Sequence, residues 1–102
     1  MALNFLLSKG YTLLSRNFNT RFGEIDLVMK DKDEMVFVEV KTKKGPLFGT
    51  PEEMFTRRKY RKVKNMGILY LNGRETKCRI DMVAIDLWLS PPSLRHYQNV
   101  VL

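Results

Sequence analysis

Apolar and polar positions alternate most regularly in two neighbouring stretches of the chain. Glu24–Met29 sets Glu24, Asp26 and Val28 against Ile25, Leu27 and Met29, while Met35–Thr42 sets Phe37, Glu39 and Lys41 against Val36, Val38 and Val40. A period of two rich in β-branched residues predicts strands. The polar Lys30-Asp31-Lys32-Asp33-Glu34 between them is short enough for a hairpin turn. Upstream, Leu3, Phe5, Leu6 and Leu7 followed by Gly10 predict the last turns of a short helix, with the chain starting inside it. Tyr11–Arg16 predicts a short strand, and Asn17-Phe18-Asn19-Thr20 a turn. Further on, Thr50, Pro51 and Glu53 make a capping box for a helix that runs to about Leu71 and stops at Asn72-Gly73. Cys78–Leu87 predicts another strand, Pro91-Pro92 a break, and Arg95–Leu102 a last edge strand. Helix, strand, hairpin, helix, strand and strand make a mixed α/β domain.

At 102 residues the chain fits one core over its whole length, and 44% hydrophobic with 28% charged residues is the composition of a folded chain. A single cysteine excludes an internal disulfide framework and any CxxC site. No apolar run approaches the roughly 20 residues that a membrane span needs. The N-terminus lacks a basic n-region and a full apolar h-region, so no secretory signal and a cytoplasmic setting are expected. What composition adds is charge. A net +7 with a pI near 9.8 attracts polyanions, and nucleic acid is the commonest of these, with ribosome surfaces and anionic membranes as rivals.

The hairpin carries the candidate chemistry. A turn centred on Lys32 and Asp33 places Asp26 opposite Glu39, Glu24 opposite Lys41, and Val28 opposite Phe37, so that Glu24, Asp26, Glu39 and Lys41 share a face. Opposed carboxylates about 5 Å apart repel, and a divalent cation between them reverses that sign. Mg²⁺ takes carboxylate oxygens and keeps waters, which leaves room for a phosphate. Lys41 lies on the same face about 6–7 Å further along the strand, where an ammonium can orient a water and neutralise charge on a phosphate. Without a metal, the same residues form a solvated sheet face with Glu24 paired to Lys41.

The second helix carries six cations in the eight positions from Arg57 to Lys64. Phe55, Lys59, Val63, Met66 and Tyr70 recur at helical spacing and predict its buried stripe. Arg57, Arg58, Arg61, Lys62 and Lys64 fall outside that stripe and suit phosphate contacts, as do Lys43 and Lys44 after the second strand of the hairpin. Lys59, within the stripe, is expected either to meet the hairpin carboxylates or to lay its stem on Phe55 and Val63. Arg79 and Asp81 share a face of their strand and suit a salt bridge that closes the domain. His96 reads as ordinary surface, Cys78 as a small core residue, and Trp88 as packed beneath the Pro91-Pro92 loop. Trp88, Phe48 and Tyr60 are also aromatics on which a base can stack.

Gly23-Glu24-Ile25-Asp26, Phe37-Val38-Glu39-Val40-Lys41-Thr42-Lys43 and Arg79-Ile80-Asp81, together with Leu6, Gly10-Tyr11 and Arg16-Asn17-Phe18, closely resemble the YraN-like family of small bacterial proteins. That family is assigned to the PD-(D/E)XK nuclease superfamily and looks similar to archaeal Holliday-junction resolvases. The resemblance implies a restriction-endonuclease-like, three-layer domain with a mixed central β-sheet flanked by helices. It implies that Asp26 and Glu39 bind Mg²⁺ (or Mn²⁺), that Lys41 is the lysine of the E-x-K element, and that Lys59 completes the catalytic set. The family's first helix usually begins with a Gly-Glu pair a few residues before the position of Ala2, and that Glu supports the metal site in related nucleases. This chain starts after it, so the first helix is read as shortened. The expected activity is metal-dependent endonucleolytic hydrolysis of DNA (more than RNA), branched or single-stranded. Resolvase-like relatives cut as dimers, so a homodimer is one expected assembly. The other expectations are a non-catalytic nucleic-acid-binding module on the same fold and a basic scaffold for another protein.

Overall fold

The computed structural model describes residues 1–102. Its elements are helix α1 (Ala2–Ser8), strands β1 (Thr12–Thr20), β2 (Gly23–Asp31) and β3 (Glu34–Lys43), a 3-10 turn (Glu52–Met54), helix α2 (Arg57–Leu71), and strands β4 (Cys78–Asp86) and β5 (Ser93–Tyr97). The five strands form one sheet in sequence order, antiparallel except for the β3–β4 pair, which is parallel. Parallel neighbours need a crossover, and α2 is that crossover. One core, with Leu6 and Tyr11, joins Leu27, Met29, Val36, Val38, Val83 and Ile85 on the α1 side. The other joins Val28, Phe37, Ile80, Met82 and Ala84 to Val63 and Met66 on the α2 side. The domain is therefore a mixed α/β sandwich of helix, sheet and helix.

The hairpin register is the one expected: Leu27 faces Val38 and Val28 faces Phe37, around a Lys32-Asp33 turn in which Lys32 takes φ 56°. The second helix also ends as expected, with Asn72 left-handed (φ 49°) and Gly73 at φ 84°. Its start differs. Thr50 does cap, accepting the Glu53 N–H at 3.3 Å, but only for the 3-10 turn, because Phe55 leaves helical space at φ −94°, ψ 83°. Thr56 then caps a fresh start by accepting the Lys59 N–H at 3.3 Å.

Four other expectations are corrected. Asn17–Thr20 continues β1 rather than turning, because Phe18 packs edge-on against Tyr70 with ring centroids 5.1 Å apart. The edge strand covers Ser93–Tyr97, earlier than Arg95–Leu102. Cys78 and Trp88 are exposed.

At the N-terminal end of β4, on the α1 side, Asp81 is fully buried and fully partnered. Arg79 Nε and His96 Nε2 lie 3.0 and 2.8 Å from its two oxygens, and the Asn99 N–H donates to it at 3.0 Å. Burial alone would raise the Asp81 carboxyl, but hydrogen bonds from His96, Arg79 and the Asn99 amide hold it below its ordinary value. Arg79 also reaches Glu34 and Asp31 at 2.8 and 3.1 Å, so this guanidinium clasps the hairpin tip to β4. The Arg79–Asp81 pair thus forms as anticipated, whereas His96 belongs to the interior. Lys9 Nζ lies 2.7 Å from His96 Nδ1. An ammonium can only donate, so Nδ1 accepts and Nε2 carries the proton toward Asp81.

α2 approaches the sheet most closely at Gly67, where a Cβ would fall 2.8 and 2.9 Å from Phe37 ring carbons. Gly67→Ala gains about 1 kcal/mol of helix propensity and loses about 1–3 kcal/mol to overpacking. The expected net is a loss of about 1 kcal/mol in urea unfolding, with Asn65→Ala, at an exposed position of the same helix, gaining a few tenths. A Gly67→Ala protein more stable than the parent would contradict this close approach.

Candidate active site

β2 and β3 pair only from Leu27↔Val38 to Asp31↔Glu34. Beyond that point β3 stays with β4 as far as Lys43, while β2 stays with β1 back to Gly23. The two central strands therefore part toward the C-terminal end of β3. A strand that loses a neighbour leaves amides without partners, and a side chain supplies one here: the Val40 N–H donates to Asp26 Oδ2 at 2.8 Å.

A roll in the β1–β2 ribbon turns Asp26 into this gap. Leu27 packs on the α1 side but Ile25 on the α2 side, although strand residues two apart ordinarily share a face. The reversal falls between the pairs Arg16↔Leu27 and Phe18↔Ile25, where Asn17 takes φ 51°. Asn tolerates this left-handed conformation better than most residues. The expected single core face of Ile25, Leu27, Val38 and Val40 is thus corrected for Ile25. The expected ladder partners are corrected too, because Asp26 meets Glu39 across a gap. Glu24 is exposed opposite Asn19, with no salt bridge to Lys41.

Glu39 and Lys41 alternate with Val38 and Val40 onto the α2 side, following Phe37. Glu39 is 9% exposed, and Asp81 is the other buried charged residue. Burial first, then proton sharing with Asp26 and the charge of that carboxylate, push the Glu39 carboxyl up to about 8; Lys41 pulls the other way. Lys41 Nζ stands 3.9 Å from Glu39 Oε2, too far for a hydrogen bond.

Two neighbouring carboxyls, one of them buried, present hard oxygen ligands at a place where a cation would offset their charge. Such a pair fits Mg²⁺, which binds through one or two carboxylates and fills its remaining sites with water and phosphate. No third Asp, Glu, His or Cys joins them. A cavity of about 440 Å³ opens beside Asp26 on the α1 side, bordered also by Arg16, Asn17, Thr42 and Leu87. Glu39 and Lys41 lie outside its lining.

Lys59 does not join the cluster. The restart at Thr56 leaves it exposed in the first turn of α2 without a salt bridge, while Val63, Met66 and Gly67 face the sheet with Tyr60 and Tyr70 half-buried beside them. Its expected place in a buried stripe is therefore corrected. Arg57, Arg58, Arg61, Lys62, Lys64 and Lys44 are exposed as anticipated, and none is in a salt bridge. Lys43 is half-buried, its ammonium donating to the Leu47 carbonyl. Sequence reasoning missed the buried role of His96, although its alternation with Leu94, which packs on the α1-side core, signals it.

The family described as Uncharacterised protein family UPF0102 matches residues 1–85. A UPF0102 protein of Syntrophomonas wolfei is 52% identical over 73 residues, covering 72% of this chain and 64% of that protein. A UPF0102 protein of Thermodesulfovibrio yellowstonii is 39% identical over 97% of this chain and 87% of its own length. One from Clostridioides difficile is 35% identical over 97% and 88%, respectively.

The Glu39 carboxyl yields a pH dependence of defined sign. The folded chain holds this proton to about 8 whereas an unfolded chain releases it near 4.5, so the folded state binds more protons between those values. Its stabilising contribution is therefore full below pH 4.5 and is lost as pH rises through 8. The urea midpoint of the parent is expected to fall between about pH 5 and 8.5, and Glu39→Gln is expected to flatten that decline. Identical slopes for the two proteins would show that the proton is not held there.

Proposed function

The chain belongs to the UPF0102 family, and on the geometry of its acidic cleft we propose that it is a metal-dependent endonuclease acting on DNA, branched or single-stranded. In this reading the helix–sheet–helix sandwich is of the restriction-endonuclease-like, PD-(D/E)XK type. The observation that carries it is the meeting of Asp26 and buried Glu39 where β2 and β3 part, with Lys41 beside them. A buried Glu39 set beside a second carboxyl, with no cationic donor hydrogen-bonded to compensate it, has little structural use.

Asp26 and Glu39 would hold Mg²⁺ or Mn²⁺, which supplies Lewis-acid stabilisation of phosphate oxygens and an acidified water. The Val40 amide holds Asp26 in place, so that carboxylate is oriented before any ligand arrives. Lys41 carries an ammonium to the edge of the cluster, where it can orient a water and offset charge that builds on the phosphate. α2 supports the nucleic-acid reading independently. Its first turn contains Arg57, Arg58 and Lys59 and no acid. Cations there oppose the helix dipole, and a phosphate on the same turn would offset that cost. A homodimer would match the two-fold symmetry of a four-way junction.

The pair of carboxylates without a third ligand favours a second reading, a non-catalytic DNA-binding module on the same fold. Cleavage separates the two. With Mn²⁺, and a panel of single-stranded, duplex, flap and four-way-junction DNA, the parent is expected to cut at least one substrate. Asp26→Asn and Lys41→Ala are each expected to lower that rate by about 100-fold or more. Binding that survives EDTA with no cleavage of any substrate would select the module. In either case, Arg57→Ala/Arg58→Ala/Arg61→Ala should reduce the slope of log affinity against log salt by about 2–3. An unchanged slope would remove α2 from the interface.

A further inference from the structure

Four of the thirteen large apolar side chains that the fold leaves exposed, including the most exposed of all, gather where the parallel strands β3 and β4 end. Phe48 is 96% exposed and Leu47 66%, in the loop after β3; Trp88 is 45% exposed and Leu87 42%, in the segment after β4. Lys43 ties these two segments together. Its carbonyl accepts the Leu87 N–H at 2.8 Å, and its ammonium donates to the Leu47 carbonyl. The far end of the first loop is fastened as well, since Glu52 is held by Arg95 at 3.0 Å and by the Tyr97 hydroxyl at 2.6 Å. Phe48 thus projects from a loop pinned at both ends, and it does so at φ 66°, a conformation that a bulky residue adopts only under constraint. Leu87 also borders the cavity that reaches Asp26, so the apolar rim adjoins the Asp26 side of the acidic cleft.

From this placement we propose that Phe48 and Trp88 form a stacking platform for unpaired nucleotides, which delivers a single-stranded segment to the cleft. Exposed aromatics fit several partners, and charge selects among them. Lys44, exposed and in no salt bridge, stands four residues before Phe48 on a chain of net charge +7, so the occupant is a polyanion that also offers flat apolar faces. Unpaired bases on a phosphate backbone have both properties, whereas a duplex hides its base faces within its own stack. The proposal deepens the endonuclease reading by naming the substrate class, and rests on it for what happens after binding.

The test is binding in EDTA, which separates it from cleavage. Trp88 is the only tryptophan, so its fluorescence reports on the platform directly. A short oligo(dT) is expected to quench Trp88 and to bind about tenfold or more tighter than a duplex of equal length. By anisotropy of labelled DNA, Phe48→Ala should weaken oligo(dT) binding about 5- to 150-fold and leave duplex binding unchanged. Trp88→Ala should act likewise while Trp88→Phe retains affinity. Phe48 is almost wholly in solvent, so its loss does not threaten the fold. Equal affinity for single strand and duplex, or an unaltered Phe48→Ala protein, would overturn the platform. A Trp88 response to phosphatidylserine vesicles but not to oligo(dT) would assign the surface to membranes and overturn it too. If the platform fails while Asp26→Asn still abolishes cleavage, the endonuclease reading stands alone. If single-strand preference depends on Phe48 but no substrate is cut, the platform stands and the endonuclease reading falls.

Discussion

A hydrogen bond from the Val40 amide to the Asp26 carboxylate lets this sheet open without leaving a buried amide unpaired. Interior strands are ordinarily paired on both sides, because an unpaired amide away from water costs about as much as a lost hydrogen bond. β3 keeps β4 along its length but loses β2 beyond Val38. The acid that satisfies Val40 is thereby held in the opening, facing Glu39. The acidic cleft and the neighbouring cavity both follow from this local exchange of a ladder bond for a side-chain bond.

The two buried carboxylates show how differently one domain treats charge at opposite ends of a sheet. Asp81 receives donors from Arg79, His96 and the Asn99 amide and remains ionised. That network joins α1, the hairpin tip, β4 and β5, so its charge is compensated and its role is structural. Glu39 has a second carboxyl for a neighbour and a lysine beyond hydrogen-bonding distance, and it is pushed up to about 8. A group left in that state lowers stability above its titration point unless something else binds. The contrast is internal to the molecule, which makes it a stronger argument for a ligand at Glu39 than burial alone.

The surface repeats the pattern. Cations occupy the first turn of α2 against the helix dipole, and aromatic side chains stand in water on a fastened loop at the end of the parallel strands. Each arrangement is unfavourable for the isolated domain, and each would be relieved by the proposed partner, an anionic polymer with exposed bases.

Much of the fold was legible in the residue pattern because its determinants are local. Alternation and a polar turn specify the hairpin register, Asn72-Gly73 stops α2, and the β-branched runs mark the central strands. Asp26, Glu39 and Lys41 were legible as a set, since the turn brings the strands together wherever they begin to part. Tertiary packing decided the rest. Phe55 interrupts the helix, which shifts its phase and leaves Lys59 in solvent. Asn17 takes a left-handed φ that rolls the ribbon and sends Ile25 to the opposite core. Asp81 draws His96 inward, and Lys43 holds the loops that leave Phe48 and Trp88 exposed. Period and propensity describe neighbours along the chain. Whether a strand keeps its partner, or a buried charge finds a donor, depends on residues far apart in sequence that meet only once the sheet is assembled.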